Sequence, residues 1–592
     1  MALIDKASLL MVPSTYEAGK LYNVLPSGNR APDSTDQNSG YDQTRADFDF
    51  DRGSNTAATR IGSDGLLKKY RENLLVQSNQ FDTTWTKTNT TLTSGQIGYD
   101  GGSNAWKVEA TNGVHRVEQN VNFSGVNTIS VYAKKGNATL LRMQTQTGGT
   151  DVFFDLNDGT IDFQEAAAVD AQIEAVGTAG WYRCSMTINE TGTNLRFLVQ
   201  SSRYSVSDGD YLFIQSAQLE SGLVSTDYLE STSVTGKAGV LVDLPRINFD
   251  ANGENGSLLL EPSRLQMLKY SEYANEWDVD SNVTTTINAA TSPEGVLNAV
   301  KLEGLTTSAN NQIFRFIGSN TGVSVVGKTF SCSLYIKPVN PNDVGKNIEL
   351  SIQRTAGDYE GLNQTFEIDS ADWKRYDLSY TFTGAGSGNQ TGVTFKVLRN
   401  STTIDDIYCF GAQCEEASYP SSYIPNNGES GGITRAADFM SSTNNLLAGA
   451  DDMAWFVDYT LEKESTSSFR NQFGYRDNAD ANFYMVQFPN SNTHEFRYRG
   501  VGGVNVDMTP SIDESTYGLH RKIVYLKRGT TLKVFCNGSQ ISTTTNAGAT
   551  TFSTTNENFE VGSNYPPEMN IKEFVVFNGT ISDAEAITLT TL

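Results

Sequence analysis

Asn73-Leu-Leu-Val-Gln-Ser-Asn-Gln-Phe-Asp-Thr-Thr-Trp85 and Leu265-Gln-Met-Leu-Lys-Tyr-Ser-Glu-Tyr-Ala-Asn-Glu-Trp277 open two stretches of one chain that carry the same landmarks in the same order. A second Trp follows each at 96 residues, in Gly180-Trp181-Tyr-Arg183 and Asp372-Trp373-Lys-Arg375. Between them lie Ser130-Val-Tyr-Ala-Lys134 and Ser333-Leu-Tyr-Ile-Lys337. The copies close with Gln218-Leu-Glu220 and Gln413-Cys-Glu415, then Asp227-Tyr228 and Ser422-Tyr423. A period of about 190 residues is too long for a solenoid unit and predicts tandem copies of a whole domain. Two copies of one module point to multivalent display more readily than to a single active site.

Within 73–232 the pattern is alternation. Thr128-Ile-Ser-Val-Tyr-Ala and Leu195-Arg-Phe-Leu-Val have the period of two that a half-buried strand requires, with Gly, Asn and Asp between them. Phe153-Phe-Asp-Leu-Asn-Asp-Gly-Thr-Ile161 reads as a hairpin turning at Asp-Gly. Gln164–Val176 is expected to hold a short helix. Many short strands with regular turns predict a jelly-roll-like β-sandwich, repeated over 265–425.

The rest of the chain has a different grammar. Residues 1–72 hold short apolar runs broken by Pro and Gly, with a polar stretch from Ser27 to Tyr41, and could not bury a core alone. They are expected to form an extended arm that orders against something else. A bridge spans 233–264, and Asn426-Asn-Gly-Glu-Ser-Gly-Gly432 reads as a flexible linker. Residues 433–592 alternate again, in Trp455-Phe-Val-Asp-Tyr-Thr-Leu461 and Arg521-Lys-Ile-Val-Tyr-Leu-Lys527. The fold class expected is all-β.

Composition narrows the functions. The chain has 592 residues and a net charge of −24. That sign repels phosphate backbones and anionic lipid, so nucleic acid is not an expected ligand. No run approaches the roughly 20 apolar residues of a membrane span. Charges stand where the core of a signal peptide would lie, in Met1-Ala-Leu-Ile-Asp-Lys, so the protein is expected to stay in the cytosol or leave it by another route. Cys184, Cys332, Cys409, Cys414 and Cys536 are odd in number and widely spaced, which favours free buried thiols over a disulfide framework.

No catalytic constellation emerges. His115, His494 and His520 are isolated, and no Gly-x-Ser-x-Gly elbow occurs. Neighbouring carboxylates such as Asp405-Asp406 would point to opposite faces of a strand, so they make no acid/base pair. No cofactor is expected, although Asp477 and Asp480, in a rim loop, are candidate ligands for a structural calcium ion. Asp155-Leu-Asn-Asp-Gly159 lacks the Gly that a calcium loop needs at its sixth position, where Thr160 stands. Sugar binding needs an exposed aromatic platform. The four repeated Trp are expected to maintain the fold, which leaves Tyr475, Phe483, Tyr484, Tyr498 and Tyr565 as candidate sugar contacts.

Two resemblances add to this. Residues 455–592 resemble a concanavalin A-like (laminin G-like) sandwich: Leu532-Lys-Val-Phe-Cys-Asn-Gly-Ser-Gln-Ile541 is similar to its Asn-Gly hairpin. Ile571-Lys-Glu-Phe-Val-Val-Phe-Asn-Gly-Thr-Ile-Ser-Asp-Ala-Glu585 resembles its last strand and short terminal helix. Thr59-Arg-Ile-Gly-Ser-Asp-Gly-Leu66, Leu244-Pro-Arg-Ile247, Leu258-Leu-Leu-Glu-Pro-Ser-Arg264, Gly180-Trp-Tyr-Arg-Cys-Ser185 and Ser422-Tyr-Ile-Pro425 with Thr434-Arg-Ala-Ala-Asp438 resemble phrases of tailed-bacteriophage fibre and tail proteins. The resemblance implies a structural protein on the virion exterior, assembled in the host cytoplasm. It also implies attachment to other virion proteins through 1–72, homotrimerisation, and display of glycan-binding modules toward the host; if the N-terminus anchors, modules extending in chain order set 433–592 farthest from the particle. A passive decoration protein and a polysaccharide depolymerase are the alternatives.

Overall fold

In the computed structural model the described residues are 6–7, 9–13, 23–24, 49–50, 52, 57–145, 149–242, 244–250, 252–279, 281–305, 312–317, 324–354, 359–385, 391–398, 404–442, 447, 449–463, 471–477, 483–490, 493–500, 506–512, 518–545, 552, 557–561 and 568–592. The polar stretch 27–41 lies outside them. The molecule is all-β, closing with one helix at Asp583–Thr590 that Ser582 and Glu585 cap reciprocally. Among the described residues no helix is long and apolar enough to cross a membrane.

Both copies fold with one topology. In the first, one antiparallel sheet runs Thr86–Thr88, Arg116–Phe123, Gly192–Gln200, Leu140–Thr145, Asp151–Asp155, Thr160–Gln164 from edge to edge. Its partner sheet runs Thr90–Gln96, Ala105–Ala110, Tyr211–Ser221, Val126–Lys135, Trp181–Asn189, Ala168–Val176. The second copy repeats this as Asp278–Val279, Gln312–Ile317, Val393–Leu398, Asn347–Arg354, Gly361–Glu367 and Thr284–Ala290, Ala299–Glu303, Ile407–Glu415, Thr329–Pro338, Lys374–Thr381. The first copy adds one edge strand to each sheet. Those strands are Thr160–Gln164, the second arm of the Asp-Gly hairpin that turns at Gly159 with φ +74°, and Ala168–Val176. The expected helix over 164–176 is therefore a strand, because pairing with Trp181–Asn189 satisfies its backbone and lets Ala168 and Ala171 enter the core.

The inward faces close as the alternation requires. Val117, Leu141, Phe154 and Phe197 from one sheet meet Val108, Val131, Cys184 and Ile214 from the other. Trp85 (3 % exposed) lies in this interior, and Trp277 is partly buried against the equivalent one. Each indole donates to a carbonyl near the head of its copy, Trp85 to Gln77 at 3.1 Å and Trp277 to Tyr270 at 2.7 Å. Trp181 and Trp373 belong instead to the outward face of the partner sheet. Trp181 packs edge-on to Tyr99, and Trp373 packs against the cluster of Leu67, Phe410 and Tyr423.

The terminal sandwich borrows strands from the front of the chain. One sheet runs Asn23–Val24, Leu9–Met11, Glu568–Asn578, Met453–Lys463, His520–Arg528, Thr531–Cys536, Ser539–Thr545, and Ser257–Leu260 also pairs with Glu568–Asn578. The other runs Asp49–Phe50, Met440–Ser442, Glu557–Val561, Asn471–Asp477, Phe483–Asn490, Thr493–Arg499, Val506–Met508. The hairpin at Asn537-Gly538 has φ +46° and +82°, the left-handed pair of a type I′ turn. Leu9, Met11, Leu258 and Leu260 are buried in the core of this sandwich, each stabilising it by about 1.5–3 kcal/mol.

The arm orders against the chain's own terminal sandwich: Leu9–Met11, Asn23–Val24 and Asp49–Phe50, with Ile247–Asn248 and Ser257–Leu260 of the bridge, are strands of it, apolar runs too short for a core of their own that complete that one rather than forming a separate unit. The segment 426–432, expected as a flexible linker, is no free joint. Asn427 accepts a backbone hydrogen bond from Val126 at 2.8 Å, Asn426 accepts one from Ser271 at 2.9 Å, and a Cβ on Gly125 would meet the Asn427 carbonyl at 2.3 Å.

Candidate functional site

The repeated phrases form a hydrogen-bonded frame. Asn73 accepts from Leu75 and Leu219 amides and donates to the Ala217 and Leu229 carbonyls. Gln266 does the same with Leu268, Cys414, Ala412 and Ile424. Glu220 is capped by the amide and hydroxyl of Thr226, and Glu415 by those of Ser421. Tyr228 and Tyr423 reach Ser78 and Ser271 at 2.6 and 2.8 Å. These groups close each copy's two ends on each other, and their hydrogen-bonding capacity is used in doing so.

All the phrases of the second resemblance except that of residues 180–185, whose Arg183 bonds Ser130 and Thr226 inside the first module, meet in one buried charge network. Arg246 pairs with Asp438 through two nitrogens and with Glu261 at 2.7 Å, and donates to the Thr59 carbonyl at 3.0 Å. Arg435 pairs with the same Glu261 oxygen at 2.7 Å, and Arg52 of the arm lies 3.6 Å from Asp438. Ser422 donates its amide and hydroxyl to Glu261 at 2.7 and 2.6 Å. Burial would raise the Glu261 carboxyl, but the Arg435 and Arg246 guanidiniums hold it well below the usual carboxylate range. Arm, bridge, second module and terminal sandwich all contribute to this network. Lys69 makes a similar joint, set between Glu272 (3.3 Å) and Glu294 (2.8 Å) beside a cleft of about 320 Å³ between the two modules.

What distinguishes the copies lies on the outward face of the first module's other sheet. Arg142 is clamped by Asp151 through two hydrogen bonds of 2.9 and 2.7 Å. Its guanidinium lies 5.3 Å from the Phe153 ring centre and 5.1 Å from that of Tyr204. Tyr204 meets Phe153 at 5.0 Å and 76°, yet it is 60 % exposed. Its φ is +60°, which costs a non-glycine residue backbone strain. The strained turn is closed by Ser201 and Ser205, whose amides donate to the Ser205 and Ser202 carbonyls. Arg203 binds Asp162 at 2.9 Å and lies over Phe163, while Arg196 binds Glu118 at 2.7 Å.

Among the described residues the second copy lacks these side chains, and its stretch 399–403, which follows Val393–Leu398 as the Tyr204 turn follows Gly192–Gln200, lies outside them. Its register matches at Met143↔Phe197 and Ile352↔Phe395, which sets Ser351 where Arg142 stands and Thr394 where Arg196 stands. Likewise Asn363 replaces Phe153, and Gly361 replaces Asp151. Among the described residues the large aromatic side chains left exposed are Tyr204 and Tyr359. An aromatic face beside arginine and amide groups can stack on the apolar face of a sugar ring and hydrogen-bond its hydroxyls.

The candidates in the terminal domain fare differently. Tyr498 is fully buried, with Lys527 over its ring at 4.8 Å and Phe552 beside it, so it is core and cannot form a platform. The ladder sets Tyr475 opposite Tyr484, and Tyr484 opposite Tyr498; Phe483 faces Arg476. The side chains of Tyr475, Asp477, Phe483 and Tyr484 lie outside the described part, as do residues Asp480 and Tyr565 altogether. Among the described residues no three His, Cys, Asp or Glu side chains are grouped to hold a metal ion. The histidines stay apart: His115 accepts from the Val199 amide, His494 lies between Tyr459 and Tyr525, and His520 contacts Asp458 at 2.6 Å. Sequence reasoning missed Tyr204. The available signal was an Arg-Tyr pair in a Ser-rich turn that the second copy does not repeat.

No family model matches the chain, and no curated protein matches it. Among solved structures it is similar to the CBM40 of the Ruminococcus gnavus IT-sialidase bound to α2,3 sialyllactose, with 16% identity and a TM-score of 0.21, over 24% of this chain and 84% of that one. It is similar to the binding domain of Paraclostridial Mosquitocidal Protein 1, with 11% identity and a TM-score of 0.22, over 26% of this chain and 43% of that one. A third is the binding domain of Botulinum neurotoxin DC in complex with rat synaptotagmin II, with 16% identity and a TM-score of 0.23, over 26% and 40%.

Proposed function

We propose that this chain is a structural protein of a bacteriophage virion, a head or tail fibre or spike, whose first module binds a host-surface glycan without turning it over. The observation that carries the binding is Tyr204: an exposed ring, held at a strained φ of +60° over the clamped Arg142, on a face where the described residues of the two copies differ. Strain kept at the surface needs a compensating use, and sugar stacking is the use this chemistry fits. The virion setting is supported by the phrase resemblance, and the self-association usual of fibres would supply the avidity that weak single sites need.

Glycan-array binding of the purified chain, run beside Tyr204→Ala, tests the reading. Wild type is expected to bind a definite sugar class, and the variant to lose at least about tenfold in affinity, the worth of ~1.4 kcal/mol, while melting unchanged. Equal binding by both proteins, or release of reducing ends from the bound polysaccharide, would count against it. The passive decoration reading is favoured by one observation, the use of Leu9–Met11 inside the terminal sandwich, which engages that part of the proposed anchor. Normal incorporation into particles without any glycan bound would establish it.

A further inference from the structure

The five cysteines are thiols in this structure, and four of them are buried. Two of the four face each other. Cys332 on Thr329–Pro338 is the direct cross-strand partner of Cys414 on Ile407–Glu415, both inside the second module's core, with Sγ atoms 2.8 Å apart. We infer that Cys332 and Cys414 form a native-state disulfide once the protein meets an oxidising low-molecular-weight disulfide, and that this bond is a lock the first module lacks.

The twin module supplies the argument. Cys332 precedes Ser333 as Ile129 precedes Ser130, and Cys414 follows Gln413 as Leu219 follows Gln218. Ile129 and Leu219 are themselves a cross-strand pair in the core. The second copy thus carries cysteine at both members of a single contacting pair, in a chain with only five cysteines among 592 residues. Left reduced, two thiols stand there with half the side-chain heavy atoms of Ile and Leu, and so bring less apolar packing to that pair. Joined, they tie strands 82 positions apart in sequence and restrict the unfolded chain.

The chemistry balances by exchange. One cysteine thiolate attacks a sulfur of the external disulfide and expels one thiol, giving a mixed disulfide. The second cysteine thiolate then attacks the protein-bound sulfur and expels the other thiol. Two electrons pass to the external disulfide, and the protons from both cysteines leave with the two expelled thiols. Burial raises Cys414 well above the ordinary thiol range, so the exchange runs while the strand pair is still open, during folding or on transient opening. The inference is independent of the glycan reading.

The full chain is refolded with glutathione disulfide, remaining thiols are alkylated in denaturant, and peptides are mapped. Cys184, Cys409 and Cys536 are expected to be alkylated, with the peptides of Cys332 and Cys414 linked. Alkylation at all five, or a link between any other pair, would overturn the inference. The double substitution Cys332→Ile with Cys414→Leu restores the first module's pair and should fold. Wild type should melt at least about 5 °C higher oxidised than reduced, and the double variant at one temperature in both conditions. Equal midpoints for wild type would show that the native fold does not accommodate the bond.

Discussion

Glu261 is the residue on which most of the buried charge turns. One of its carboxylate oxygens lies 2.7 Å from both Arg246 and Arg435, all three side chains being almost wholly buried. Replacing Glu261 by Gln leaves two guanidiniums facing each other away from water, and should cost about 3–5 kcal/mol in chemical denaturation. Glu568, near this network, is pushed up to about 8 by burial and by the Glu261 and Glu415 charges, against the pull of Arg435. Among the described residues its Oε2 has no hydrogen-bond partner. The folded state therefore keeps a proton that the unfolded chain releases, so this residue's contribution is fully present below pH 4.5 and is lost as pH rises toward about 8. In Glu568→Gln that part of the pH dependence should vanish, seen as a smaller fall in thermal midpoint across the same window. At this scale the sequence was partly legible. The recurrence of Trp85 and Trp277 announced fold-maintaining positions, but nothing in the spacing told Tyr498, a core residue, from Tyr204, a surface one. Alternation assigns residues to a face and not to water.

Edge strands decide the next scale. Glu568–Asn578 would be an open edge over part of its length without Leu9–Met11 on one stretch and Ser257–Leu260 on another. Deleting residues 1–13 should therefore lower the midpoint of the terminal sandwich and promote aggregation, measured by differential scanning calorimetry and light scattering; an unchanged midpoint would return those residues to the role of a separate arm. The segment 426–432 makes a complementary case. Gly125→Ala drives a methyl into the Asn427 carbonyl at a φ of +74°, so it should loosen the first module from this segment and speed proteolysis there. The strands and the Asp-Gly and Asn-Gly hairpins were readable because turn residues and period-two patterns act locally, while the terminal helix was legible only through the resemblance of 571–585 to a lectin-like ending. Ala168–Val176 was misread as helix because its Ala-rich run has helical propensity that pairing with Trp181–Asn189 overrides.

For the whole molecule, the charge network implies shared cooperativity. The second module and the terminal sandwich both contribute to it and should unfold in one calorimetric transition, which Arg435→Ala should split in two; two transitions in the wild type would mean the network does not couple them. The sequence by itself determined the all-β class, the duplication at about 190 residues and the inward faces of the strands. These follow from periodicity and local turn chemistry, and every copy of a phrase repeats the same local physics. Only the tertiary structure decided that the front of the chain completes its end, that the linker is packed, and that the phrases around Thr59, Arg246, Glu261, Ser422 and Arg435 meet at one point. It also placed Tyr204 over Arg142 and set Cys332 against Cys414. Those contacts join residues far apart along the chain, and their partners are chosen by which buried charges, carbonyls and apolar faces remain to be satisfied once the sheets have formed.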